Sequence, residues 1–162
     1  MNTFREMRRA GQQLSEDETL RILENGTTGV LALHGDNGYP YAVPVNYLFR
    51  DGKILFHGAL AGHKFDAMKR DDRVSFCVIG KDEIVPEKVT DYFRSVIVFG
   101  RVRTIDDPAE KREATLALGC RFSTEEEVMK GFELAFPHVA MFEITIEHMT
   151  GKEAIELAKQ RG

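Results

Sequence analysis

Residues 43–64 read VPVNYLFRDGKILFHGALAGHK, and the Asp51-Gly52 pair inside that stretch constrains the fold more than any other feature. The pair lies between two apolar runs. That is the strongest short-range signal for a two-residue hairpin, because such a turn needs positive φ and glycine tolerates it. Gly58 and Gly62 then bracket Ala59-Leu60-Ala61, and the spacing predicts a helix that begins with His63 and Lys64 in HKFDAMKR. A helix N-terminus carries unpaired N–H groups and a partial positive charge. A histidine and a lysine added there suit a phosphate, although Lys64 taken alone reads equally well as a solvated first-turn lysine.

The rest of the chain supplies strands more often than crossover helices. Residues 1–13 are polar and basic and read as an arm. Ser15, with Glu18 at capping-box spacing, opens a helix that closes at Asn25-Gly26. Thr28–His34 reads as a strand, Gly35–Gly38 as a turn, and Tyr39–Arg50 as a strand whose Pro40 and Pro44 confine it to an edge or a bulge. Lys53–Gly58 returns along the hairpin. Further strands are predicted over Arg73–Gly80, over Asp91–Ile105 with a bend at Gly100, and over His138–His148; Lys81–Thr90 reads as a loop. Asp106-Asp107-Pro108 opens a helix closed by Gly119, and Ser123-Thr124-Glu125-Glu126 opens another. Six strands with a few short helices predict an α+β domain, and successive strands without alternating crossover helices favour an antiparallel barrel over a doubly wound sheet. Its expected bounds are 14–152, with a C-terminal tail over 153–162.

At 162 residues the chain suffices for one domain with its own core. A net charge of -4 provides no basic field for nucleic acid. No apolar run approaches the ~20 residues of a membrane span, and the N-terminus has no apolar signal core. Cys77 and Cys120 do not form a disulfide framework. The expected compartment is the cytoplasm.

Several chemical motifs fail on inspection. A nucleotide-triphosphate loop needs four residues between its glycines, then Lys, then Ser or Thr for magnesium. Here the gap is three, His63 intervenes, and Phe65 stands where the hydroxyl belongs. A phosphate monoester held without metal remains reasonable. His57, His63 and Cys77 show no paired metal spacing, so no metal is expected. Cys77, between Phe76 and Val78, reads as packing. Neither G-x-S-x-G nor G-x-G-x-x-G is present. His57 at the end of its strand reads as a rim residue or as a functional one. Asn46 and Tyr47 read as ordinary alternation or as the polar edge of a site for a flat ligand.

The ordered segments GVLALHGDNGYPYAVPVNYLF, ILFHGALAGHKFDAM, RVSFCV, YFRSVIVFGR and MTGK resemble the nitroimidazole-resistance branch of the flavin split-barrel proteins, relatives of pyridoxamine 5′-phosphate oxidase. The resemblance runs from about Ser15 to Lys152. It implies an α+β fold, a six-stranded antiparallel split β-barrel with peripheral short helices, assembled as a homodimer with FMN, or alternatively FAD, in clefts between subunits. Carried over by position, His63 and Lys64 would grip the flavin phosphate with help from Ser95. Pro44, Val45, Asn46 and Tyr47 would line the ring. His57, Gly58 and Ala59 would lie along its ribityl or ring side, with Lys152 as a further contact. His57 would be the catalytic side chain. The implied activity is an FMN-dependent, nitroreductase-like oxidoreductase that takes electrons from NADH or NADPH and reduces small planar acceptors such as nitroaromatics. The alternative is a non-catalytic flavin carrier or sensor. The arginine-rich substrate grip of the pyridoxamine phosphate oxidases is not evident.

Overall fold

At the hairpin, Asp51 (φ 51) and Gly52 (φ 73) both take left-handed backbone and close β3 (Leu48–Arg50) onto β4 (Lys53–Ala59) through the Arg50–Lys53 pair. The structure, a computed structural model, describes residues Phe4–Gly162, so the first three residues of the expected arm lie outside the described residues. Tyr39–Arg50, expected as one strand, is two. β2 (Pro40–Asn46) pairs with β1 (Thr28–His34), whereas β3 pairs with β4 on the far side of the sheet. Tyr47 makes the break. Its N–H turns to the Thr27 carbonyl, and its buried hydroxyl donates to the Leu23 carbonyl at 2.6 Å.

With β5 (Arg73–Lys81), β8 (Arg94–Thr104) and β9 (Val139–Glu153), the sheet runs β2-β1-β5-β8-β9-β4-β3, and every pairing is antiparallel. This corrects the expected six strands to seven. The two edge strands, β2 and β3, are separated only by Tyr47, so the sheet has to curl until its edges approach, giving a half-barrel. Pro40 and Pro44 sit on an edge strand, where a missing donor costs no ladder bond. The segment read as a loop holds a small separate ribbon, β6 (Ile84–Val85) and β7 (Thr90–Asp91).

The helices follow their caps. α1 (Glu16–Asn25) opens with the reciprocal Ser15–Glu18 box. It ends at Gly26 in extended rather than left-handed backbone, and a Cβ there would lie 2.3 Å from the Tyr47 hydroxyl. α2 (His63–Arg70) begins where expected. α3 (Pro108–Phe122) is capped by Asp107 but runs through Gly119, which does not close it. Its missing side chain instead admits Val128 of α4 (Glu125–Met129), whose nearest atom would be 2.9 Å from a Cβ. α5 (Phe132–Ala135) and α6 (Ile155–Arg161) complete the set.

One apolar cluster fills the barrel, with Leu31, Tyr47, Phe56, Phe76, Val98 and Phe142 fully or nearly fully buried. A second, comprising Leu55, Ile105, Ala114, Leu118 and Met141, lies between α3 and the outside of β4 and β9. β4 is therefore buried on both faces until it reaches His57. Gly100 bends β8 at a register shift, where a Cβ would stand 2.3 Å from the Thr145 carbonyl oxygen. Among the described residues no helix is long and apolar enough to cross a membrane.

Candidate functional site

Beyond His57 the chain leaves β4 and enters α2 through Gly62, whose φ of 117 few residues other than glycine adopt. Lys64 then folds back over β4. A Cβ on Gly58 would meet the Lys64 Cε at 3.1 Å and its Nζ at 3.2 Å, so the glycine leaves the space that the ammonium occupies. Lys64 is half-buried. Burial pushes its pKa down, and among the described residues no carboxylate acts in the other direction. His57 is exposed by area, yet enough protein surrounds the ring to hold its pKa below the usual imidazole value, and the Lys64 charge adds to the same effect. At neutral pH the site therefore presents a neutral imidazole beside a lysine that has no acidic partner among the described residues.

His63 and Lys64 diverge despite being consecutive. The His63 Nε2 accepts from the Asp36 N–H at 3.3 Å, and its ring packs on Tyr41 with centroids 4.1 Å apart. Asp36 in turn takes a 2.7 Å bond from Arg70. His63 thus fastens the β1–β2 turn to α2, while Lys64 faces Gly58.

On β2 the alternation divides the expected ring-lining residues. Pro44 and Asn46 are exposed on the outer face, whereas Val45 and Tyr47 are buried. The Tyr47 hydroxyl, its pKa pushed up to about 12 by burial, is committed to the core, and its N–H is taken by the Thr27 carbonyl, so Tyr47 offers a ligand no exposed surface within one subunit. The Asn46 amide donates to the Thr27 carbonyl at 3.1 Å and to the Thr28 hydroxyl at 3.0 Å. β2 and β4 touch, which brings Pro44–Asn46 to the same end of the sheet as His57, Gly58, Ala59 and Lys64.

Ser95 and Lys152 stand elsewhere. They are register partners on β8 and β9, and the Lys152 Nζ lies 5.7 Å from the Phe93 ring centroid. His57 pairs with Met141, and from Met141 to Lys152 β9 runs on for about 36 Å at the ordinary ~3.3 Å rise per residue. One subunit therefore holds two separate groups of the expected residues.

The outer face of the sheet carries a feature that the motif reading missed. Val30, Cys77, Ile97 and Thr150 form one cross-strand row, and Ala32, Ser75, Phe99 and His148 form the next. Ile79, Ile97 and Phe99 are 66%, 43% and 39% exposed. Phe4 stacks on His148 at the margin, with centroids 4.8 Å apart. Two clefts of about 570 Å³ open on this face, one along Ala32, Tyr39, Ser75 and Phe99 and the other along Thr28, Val30, Cys77 and Ile79. Neither cleft includes His57 or Lys64. The signal lay in the nearly unbroken apolar runs RVSFCVIG and SVIVFG, the pattern of strands buried on both faces. Burial pushes the Cys77 thiol pKa up, which suits packing better than nucleophilic attack.

Comparison with known proteins places this geometry. The family model described as pyridoxamine 5′-phosphate oxidase matches residues 15–153. A candidate 5-nitroimidazole antibiotic resistance protein from Bacteroides thetaiotaomicron superposes with a TM-score of 0.73 at 20% identity, covering 87% of this chain and 86% of that one. A FAD-binding protein from Mesorhizobium loti gives 0.67 at 27% identity, with 88% and 96% covered. A FAD and heme binding protein from Mycobacterium smegmatis gives 0.75 at 18% identity, with 93% and 80% covered. No curated protein sequence matches. The match over nearly the whole chain, on the fold that its hairpin and curled sheet build, makes this protein a member of the pyridoxamine 5′-phosphate oxidase family.

Proposed function

We propose that the chain is an FMN-dependent oxidoreductase of the nitroimidazole-resistance type, working as a homodimer. The observation that carries this reading is Lys64, a half-buried ammonium with no acidic partner among the described residues, lying over a glycine at the start of a helix. A cation left unpaired in partial burial costs free energy unless an anion completes it. A flavin phosphate fits that requirement, as do relatives named for binding FAD. Pro44 and Asn46 offer an exposed edge for a flat ring, and Ala59 is exposed on the strand beside it. The flavin would supply two-electron transfer between a nicotinamide donor and a small planar acceptor. The protein's part is to anchor the phosphate through Lys64 and to present neutral His57 as a proton-handling group.

The dimer is supported by the bare apolar outer face, larger than single scattered hydrophobics would make. It is supported also by the distance between the His57–Lys64 group and Ser95 with Lys152, which a second copy would bring together across a shared cleft. The test begins with purification without added flavin, followed by an absorbance spectrum and release of the cofactor, which separates FMN from FAD by mass. NADH or NADPH should bleach the colour and a nitro compound restore it. Colour without bleaching would mark a carrier. Lys64→Ala should weaken flavin retention by ~1.5–3 kcal/mol, the range for a lost charge-assisted contact, while His57→Ala keeps the flavin and loses acceptor reduction. A protein that stays colourless in saturating FMN defeats the reading.

A further inference from the structure

Three described non-glycine residues take left-handed backbone: Asn37, Asp51 and Val89. Asn and Asp are common there because their short polar side chains bond locally, whereas a β-branched residue is strained. Val89 has φ 51 and is 94% exposed, so neither its backbone nor burial within the subunit accounts for it. Ile84, on the facing strand of the β6–β7 ribbon, is 68% exposed. This apolar tip is firmly braced. The Tyr92 N–H donates to the Glu83 carbonyl at 2.8 Å, the Glu83 N–H to the Asp91 carboxylate at 3.1 Å, and the Thr90 hydroxyl to Glu156 of α6 at 3.0 Å.

We propose that the β6–β7 ribbon is a dimer arm, with Val89 and Ile84 packed against a second copy of this chain. The inference rests on the dimer proposed above. A second copy is the occupant because the ribbon continues from β5 just past Ile79, itself 66% exposed on the bare outer face. Face and arm thus form one run along the chain. The arm also leads directly into β8 at Arg94 and Ser95, the end of the sheet that would have to approach the second copy's His57 and Lys64. An arm that grips there fixes the register between the halves of each cleft.

Sedimentation over a concentration series tests this with Val89→Asp, Val89→Asn and, as a control, Leu134→Asp at another strongly exposed apolar position, 83% accessible on α5. Both Val89 variants should raise the dimer dissociation constant by about tenfold or more, as truncation of a buried interface residue does. Leu134→Asp should leave it unchanged. At concentrations where the dimer has dissociated, Val89→Asn should be at least as stable as the wild type, because asparagine tolerates the left-handed backbone. Wild-type association in both Val89 variants would overturn the arm while leaving the dimer standing. A wild type that binds flavin as a monomer would overturn both.

Discussion

At the scale of single residues, the His57–Lys64 pair sets the character of the site, and the Lys64 charge bears on the titration of His57. Burial first and the Lys64 charge second hold His57 below its ordinary value of 6.5. The fold therefore favours the neutral ring. The resulting stabilisation is complete above pH 6.5 and is lost as the pH falls through the depressed folded-state value. Imidazole titration by NMR should place His57 below 6.5 in the wild type and higher in Lys64→Ala, where only burial still acts. An anion that binds Lys64 should shift His57 in the same direction. An identical His57 titration in the wild type and Lys64→Ala would show that the two do not communicate.

At the scale of elements, much was legible in the sequence, and what was not has a common cause. The Ser15–Glu18 box, the Asp51-Gly52 turn and the start of α2 are each set by a few neighbouring residues, so the chain announces them locally. The break at Tyr47, the continuation of α3 through Gly119 and the extension of β9 to Glu153 are set by distant partners. The same limit applies to the site: Gly58, Lys64 and His57 are close in sequence and meet, whereas Ser95 and Lys152 stand apart as partners on β8 and β9. The glycines separate the two kinds of constraint by experiment. Gly100→Ala drives a Cβ to 2.3 Å from a backbone oxygen and should cost about 2–3 kcal/mol in chemical denaturation. Gly119→Ala meets only the Val128 side chain and recovers helix propensity, so its cost should be well under that.

At the scale of the whole molecule, the two ends of the chain meet at Glu153. Its side chain is fully buried, Arg94 holds one oxygen at 3.1 Å and Arg161 approaches the other. Gln12 donates to the Glu153 carbonyl at 2.8 Å, and Arg161 also reaches the Gln13 carbonyl. Removing one partner of a buried charge is more damaging than losing an exposed pair. Arg161→Ala should therefore lower the melting temperature clearly, whereas Lys130→Ala, which breaks surface pairs on α4, should leave it nearly unchanged. Equal effects would make the Glu153 junction incidental. The edge strand β2 has a consequence of a different kind. Because Pro40 and Pro44 interrupt its outward row of amide donors, a foreign strand cannot pair continuously along it. The other edge, β3, is only three residues long, so neither margin of the curled sheet offers an unbroken row on which foreign strands could stack into fibres.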